Sequence, residues 1–298
     1  YIVDVTSRSE QTSKDLLVNY IKGDAQDIEF LKGVIRDTQY DVVIDFMLYE
    51  TKQFKERINM LLKACRQYIF LSSYRVFAKD SIITERSPRL LDIIKDEEYL
   101  ATDEYALAKA RQEDILTQEK QKNWTIVRPS ITYSRNRFQF GTVEADVTVW
   151  RALRGLPVTI PEEIYDKKTT MTWAGDTARL IVKLVGNDSA FGQDYNIATD
   201  ESRSWREIAS IYSKAIGLKV KTVSTKDHVS AAGYPEVGYL IKYNRMYDRV
   251  IDNSKILEAT GEVAGNLLTP EEGLKRELRA FKNDPQYVQI DYAKQARI

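Results

Sequence analysis

Tyr105 and Lys109 stand four residues apart in the run Glu104-Tyr105-Ala106-Leu107-Ala108-Lys109. On a helix this spacing puts both side chains on one face. A free tyrosine ionises near pH 10, and an ammonium group held against the phenol favours the phenolate. Bringing the loss of that proton down by ~3 pH units takes roughly 4 kcal/mol of differential interaction. One lysine supplies part of it, and a cationic nicotinamide ring nearby would supply the rest. The pair is expected to act as a proton-transferring tyrosine beside a hydride carrier.

Three further positions extend this chemistry. Ser72-Ser73 ends an apolar run upstream of Tyr105. A serine hydroxyl there can hydrogen-bond a substrate hydroxyl or carbonyl and turn it toward the tyrosinate; taken by itself it is a helix cap or a loop hydroxyl. Gly23-Asp24 reads either as a turn or as a site where backbone approaches a ligand and the aspartate accepts from an adenine amino group. Ser7-Arg8 stands at the end of the first strand, where selectivity for NAD uses an acidic residue. Arg8 would instead pair with the extra phosphate of NADP, or be a solvated arginine.

The elements that must position these residues alternate. Strands are expected at 2–6, 41–46, 68–73 and 124–128, with helices at 30–35, 52–65 and 97–119. Leu16 to Ile21 is a weaker apolar run. Continuous apolar strands separated by helices indicate a parallel sheet covered on both faces, with ligands beyond the carboxyl ends of the strands. After Pro129 the pattern loosens. The polar and aromatic stretch 133–140 is expected to face substrate. A helix is expected at 176–185, a short strand at 195–198, and a late helix at 270–281. Ser204 and Glu207 form a capping box for a helix reaching Ile216, which Gly217 closes.

The chain has 298 residues, enough for one large domain with an appendage or two modest ones. Lys+Arg and Asp+Glu both number 44, and zero net charge argues against a general nucleic-acid or membrane-surface binder. The single cysteine, Cys65, excludes an intrachain disulfide framework and reads as a buried small hydrophobe at the end of a helix. The single histidine, His228, reads as a loop residue and cannot form a metal site or triad unaided. No apolar stretch long enough to span a membrane and no signal peptide is present. A cytoplasmic protein is expected.

Together the motifs resemble the extended short-chain dehydrogenase/reductase family, in its NAD-dependent epimerase/dehydratase branch. The segment 70–77 is similar to that family's Ser-Ser-x-x-Val-Tyr segment, and 105–109 matches its Tyr-x-x-x-Lys motif. Val127-Arg128-Pro129-Ser130 resembles its Arg-Pro turn, 173–177 its (Val/Trp)-x-x-Asp segment, and 252–255 its Asp-x-Ser-Lys motif. The resemblance implies a Rossmann-type doubly wound parallel sheet over 1–145, to which 170–200 returns, and a smaller, mainly substrate-binding region over 146–298. It implies Ser73, Tyr105 and Lys109 as catalytic. Ser7, Arg8, Asp24, Ala25, Phe46, Met47, Tyr105, Lys109, Pro129 and Ser130 would touch NAD or NADP. Ser73, Tyr74, Arg245 and Arg249 would hold a nucleotide sugar, the two arginines on its diphosphate. By analogy with the family, a homodimer is expected through the helix carrying Tyr105 and the one before it.

Three departures qualify this picture. None of the 13 glycines falls in a glycine-rich dinucleotide fingerprint. Tyr1 aligns with the lead-in to the family's second strand, so roughly 30 residues carrying the first strand, phosphate loop and helix are expected to precede the sequence. Tyr74-Arg75 replaces the Asp-Glu of the family's dehydratases, which disfavours dehydration. Asp45-Phe46-Met47 stands where many members have His-x-Ala. The expected activity is epimerisation of a nucleotide-activated sugar. The alternatives are NADPH-dependent reduction of a keto-sugar or other carbonyl compound, and a non-catalytic nucleotide- or RNA-binding regulator.

Overall fold

A computed structural model describes residues 1–232 and 236–283. Residues 284–298 of the expected second region lie outside the described residues. The first two strands, β1 (Val3–Ser7) and β2 (Val18–Lys22), pair in parallel with Val3 opposite Val18 and Ser7 opposite Lys22. The weak apolar run 16–21 therefore contributes most of a strand; pairing with β1 supplies what its composition understates. Helix α1 (Ile28–Ile35) starts at Asp27, whose carboxylate accepts from the Glu29 N–H. Strand β3 (Tyr40–Asp45), helix α2 (Thr51–Lys63) and strand β4 (Cys65–Leu71) follow.

Cys65 opens β4 rather than closing the helix before it. It is buried, as expected of a small hydrophobe, and its thiol donates to Leu61 O. Two short helices, α3 (Leu90–Ile93) and α4 (Glu97–Leu100), lead to α5 (Tyr105–Gln118). The single long helix expected over 97–119 is thus broken at 101–104. The break has a physical cause: Glu104 takes an extended conformation and its carboxylate caps α5, accepting from the Ala106 N–H at 2.8 Å. Tyr105 becomes the first residue of a new helix.

Strands β5 (Trp124–Pro129) and β6 (Ile131–Tyr133) come next, then α6 (Ala145–Ala152), β7 (Pro157–Pro161), α7 (Glu162–Tyr165), β8 (Lys168–Trp173) and α8 (Ala174–Leu184). The chain returns through β9 (Gln193–Ile197), β10 (Ser202–Ser204), α9 (Trp205–Ile216), β11 (Lys219–Val223), α10 (Thr225–Ala232) and α11 (Glu236–Leu240). A π-helical turn at Ile241–Arg245 precedes α12 (Ser254–Thr260) and α13 (Pro270–Asn283). The capping box at Ser204 and Glu207 forms as expected, and Gly217 ends α9 at φ 75°, a backbone conformation that favours glycine.

The central sheet is parallel, in the order β3-β4-β5-β9, and helices pack around it. Between α2 and the sheet lie Phe54, Ile58, Leu61, Tyr68, Phe70 and Ile126. The other face buries Ile69, Val127, Leu180, Ile181 and Ile197 under α8. Strands β6, β8 and β10 form a smaller mixed sheet, and β7 pairs with β11 in parallel. The stretch 133–140 does not face a ligand with its aromatics. Tyr133, Phe138 and Phe140 are buried, with Phe138 edge-on to Tyr212 and Phe281. His228 is likewise not in a loop: it is buried on α10, with Nε2 2.7 Å from Thr142 Oγ1. Among the described residues no helix is long and apolar enough to cross a membrane.

Candidate active site

Parallel strands bring their carboxyl ends to one edge of a sheet, and the candidate residues stand there. Three hydrogen bonds tie β1, β2 and the turn after them to the larger sheet and its flanking segments in the same sense. Near the amino ends Tyr40 Oη donates to Asp4 Oδ2 at 2.8 Å. Past the carboxyl ends Gln26 Nε2 donates to Leu48 O at 3.2 Å, and Arg57 Nη2 to Gln26 O at 3.0 Å. The turns after β1, β2, β3, β4 and β5 therefore stand at one edge of the assembled strands, where a ligand crevice is usual in such a sheet.

Lys109 is 3 % exposed. Its ammonium group lies 4.6 Å from the Phe70 ring centroid, and its one described hydrogen bond, to Met47 O, is long at 3.4 Å. Burial pushes its pKa down to about 8, while the charges of Asp45 and Glu113 push it back up. Asp45 is buried in turn, accepting from Tyr68 Oη at 2.7 Å and the Met47 N–H at 2.9 Å. Burial raises its carboxyl above the usual range, against the hydrogen bonds from Tyr68 and Met47 and the charges of Lys109 and Arg57. The turn Asp45-Phe46-Met47 thus supplies both a counter-charge and a carbonyl to Lys109.

Ser73 follows β4 and caps a short 3₁₀ turn, its hydroxyl accepting from the Arg75 N–H at 3.2 Å. The Arg75 guanidinium lies over the ring of Tyr105, 4.9 Å from its centroid, and pairs with Glu104. Arg75 therefore touches both Ser73 and Tyr105, linking the end of β4 to the start of α5. Tyr105 is half-buried, and no hydrogen bond engages its hydroxyl among the described residues.

The remaining expected ligands divide. Arg8 is exposed and has no partner among the described residues, whereas the Ser7 hydroxyl donates to Ser9 O. Asp24 is exposed and accepts from the Gln26 N–H; Ala25 beside it is buried. A Cβ at Gly23 would meet the half-buried Phe30 ring at 2.1 Å, so a larger residue there would have to displace that ring. Phe46 is 62 % exposed in the turn after β3, and Met47 is half-buried. Pro129 and Ser130 are buried, and the Ser130 hydroxyl is engaged by Thr172 Oγ1 at 2.7 Å.

Arg245 and Arg249 are not available as diphosphate ligands, and Tyr74, expected to touch substrate, is buried. Arg249, 1 % exposed, donates to four backbone carbonyls, those of Asn244, Phe77, Ala78 and Tyr243. Arg245 gives its donors to Gly141 O, Tyr74 Oη, Asn244 Oδ1 and Gln139 Oε1. Tyr74 is buried with them. Burial holds both arginines below their ordinary pKa. Their role is to tie the loop after β4 to the π-helical turn. Sequence reasoning missed Glu113, which the same spacing rule reaches, four residues beyond Lys109, and it did not give Arg75 or Asp45 a role at the site.

No protein-family model matches the chain. The chloroplast stem-loop binding protein of 41 kDa b of Arabidopsis thaliana is 26 % identical over 203 residues, 67 % of this chain and 49 % of that protein. The chain thus spans about half the length of this curated relative. The UDP-glucose 4-epimerase of Thermotoga maritima, solved with UDP-glucose, superposes with a TM-score of 0.69 at 15 % identity, covering 96 % of this chain and 92 % of that one. The dTDP-glucose 4,6-dehydratase of Bacillus anthracis, solved with NAD, gives 0.67 at 16 % identity over 91 % and 82 %. The UDP-glucose 4-epimerase of Bifidobacterium longum, solved with NAD+ and UDP, gives 0.65 at 20 % identity over 90 % and 84 %. With a parallel sheet in this order and the Tyr-Lys pair at its carboxyl edge, the chain has the fold of the NAD-dependent epimerases and dehydratases of the extended short-chain dehydrogenase/reductase type.

Proposed function

We propose that this chain is an NAD(P)-dependent epimerase of a nucleotide-activated sugar. The observation that carries the reading is the Lys109 ammonium: buried, one helical turn from Tyr105, and with a single long hydrogen bond. An ammonium group has three donors, and leaving them unmet in a buried place is costly. The two hydroxyls of a nicotinamide ribose fit that need, so the residues present suit the cofactor. Lys109 would hold the ribose, with Met47 and Phe46 beside it and Asp24 and Ala25 toward the adenine. Arg8, exposed and unpartnered among the described residues, favours the phosphate of NADP. A bound nicotinamide would take up and return a hydride.

The chain's own residues handle the proton. Tyr105 Oη would accept the proton of a sugar hydroxyl as the carbonyl forms and give it back as the hydroxyl is restored. Ser73 Oγ would hold the reacting oxygen in line. Neither Tyr74 nor Arg75 is a carboxylic acid, so elimination of water lacks there the Asp-Glu pair that drives it in the family's dehydratases. The test is mass spectrometry of small molecules released on denaturation, followed by incubation with UDP-glucose. Release of NAD or NADP and interconversion with UDP-galactose without net redox supports the reading. Stoichiometric oxidation of NADPH with a keto substrate would make the protein a reductase instead.

A second reading is favoured by one observation, the likeness to a protein named for stem-loop binding. Under it the same crevice binds nucleotides of an RNA hairpin. Zero net charge weighs against it. Salt-dependent binding of an RNA stem-loop, unchanged by Tyr105→Phe and without turnover of any nucleotide sugar, would establish it.

A further inference from the structure

Glu113 stands one turn beyond Lys109 and two turns beyond Tyr105 on α5, and it is 1 % exposed. Its carboxylate joins three segments. Oε1 accepts from Ser72 Oγ at 2.5 Å and from Arg128 Nε at 2.7 Å. Oε2 accepts from Arg128 Nη2 at 2.9 Å and, weakly, from Arg89 Nη1 at 3.5 Å. Ser72 immediately precedes Ser73 at the end of β4. Arg128 immediately precedes Pro129 at the end of β5. Arg128 is gripped from its far side by Asp194 Oδ2 at 2.6 Å, and Lys255 Nζ donates to Asp194 Oδ1 at 3.1 Å.

A buried carboxylate serving only to neutralise one guanidinium would need no serine. Here one oxygen is shared between Ser72 and Arg128, so neither strand end can shift without straining a bond to the helix that carries Tyr105 and Lys109. Bidentate pairing fixes orientation as well as distance. We propose that Glu113 is a positioning residue: it holds the ends of β4 and β5 in register with the Tyr105–Lys109 face of α5, so that Ser73 and Tyr105 meet one reacting oxygen. The proposal rests on the epimerase reading for its catalytic consequence. Its electrostatic consequence stands without that reading. Burial draws Lys109 down to about 8 while the charges of Asp45, first, and Glu113, second, oppose the fall, so Glu113 helps Asp45 to keep the ammonium charged.

The test uses Glu113→Gln, Glu113→Asp and Ser72→Ala in the full chain, with folding checked by circular dichroism. With UDP-glucose as the probe, Glu113→Gln and Ser72→Ala are expected to lower kcat about tenfold or more while KM stays within about twofold. Separately, NMR of ¹³C-labelled lysine follows the Lys109 titration without any substrate. Glu113→Gln should move that titration to lower pH. Glu113→Asp keeps the charge but shortens the reach, so it should lower kcat and leave the titration near the wild-type position. A folded Glu113→Gln protein with wild-type kcat and wild-type Lys109 titration overturns the proposal. If the wild-type chain does not turn over UDP-glucose, the epimerase reading fails, and the titration still decides whether Glu113 acts on Lys109. If Glu113→Gln does not fold, Ser72→Ala decides, and wild-type turnover in that variant overturns the proposal.

Discussion

The guanidinium of Arg75 lies 4.9 Å from the centroid of the Tyr105 ring, stacked on the residue whose hydroxyl is the candidate proton carrier. Arg75 also forms an ion pair with Glu104, the cap of the helix that Tyr105 begins, and Glu104 Oε2 accepts from Tyr99 Oη at 3.0 Å. One arginine thus restrains the ring of Tyr105 and the end of its helix together. Removing it leaves a buried carboxylate without its counter-charge. Arg75→Met is expected to destabilise the protein by about 3 kcal/mol, read as a fall in the urea midpoint. A midpoint equal to wild type would show that the pair contributes nothing to the fold.

Lys109 predicts two opposite pH dependences. Its folded pKa, about 8, lies below the ordinary 10.5. Between these values the unfolded chain binds more protons than the folded one, so this group makes stability rise with pH from about 8 to 10.5. Activity that needs the charged ammonium falls over the lower part of the same range. Asp45→Asn removes one of the two charges that hold the proton on Lys109. The alkaline limb of kcat/KM should then move to lower pH. A limb that stays in place would remove Asp45 from the electrostatics of the site.

His228 acts on stability at the acid end. Burial holds its pKa below 6.5, so the unfolded chain takes up the proton first as pH falls. Its contribution is present above pH 6.5 and is lost as pH drops below that value. In His228→Gln this part of the acid destabilisation should disappear. The measurement is urea unfolding at a series of pH values, with wild type and variant compared for slope.

Arg249 is predicted to be structural. Its four carbonyl partners join the loop after β4 to the π-helical turn, and a leucine there would leave them buried and unmet. Each lost partner costs on the order of 1 kcal/mol, so Arg249→Leu should lower stability by about 3 kcal/mol or more. In the folded fraction the dissociation constant of UDP should be unchanged. A weakened UDP affinity at wild-type stability would return Arg249 to the list of diphosphate ligands.

Residue type and spacing by themselves determined much of this protein. The parallel strands β3, β4 and β5, expected at 41–46, 68–73 and 124–128, follow from short apolar runs between helical patterns, because a strand covered on both faces must be apolar throughout. The capping box at Ser204 and Glu207 is local chemistry and formed where its residues stand. Setting Tyr105 and Lys109 one turn apart on one element needs only a helix. Tertiary structure decided what depends on distant segments. Whether 97–119 is one helix or two turns on Glu104 finding Arg75 and Tyr99, which periodicity along the chain does not register. The arginines at 245 and 249 look like anion ligands in sequence, since a guanidinium that will be saturated by carbonyls reads the same as one left open. Glu113 lies on a predictable helix face, yet its meaning comes from Ser72 and Arg128, brought to it from two other strands by the packing of α5 on the sheet. Local order is written in near neighbours, while burial and long-range hydrogen bonds exist only once the sheet has assembled.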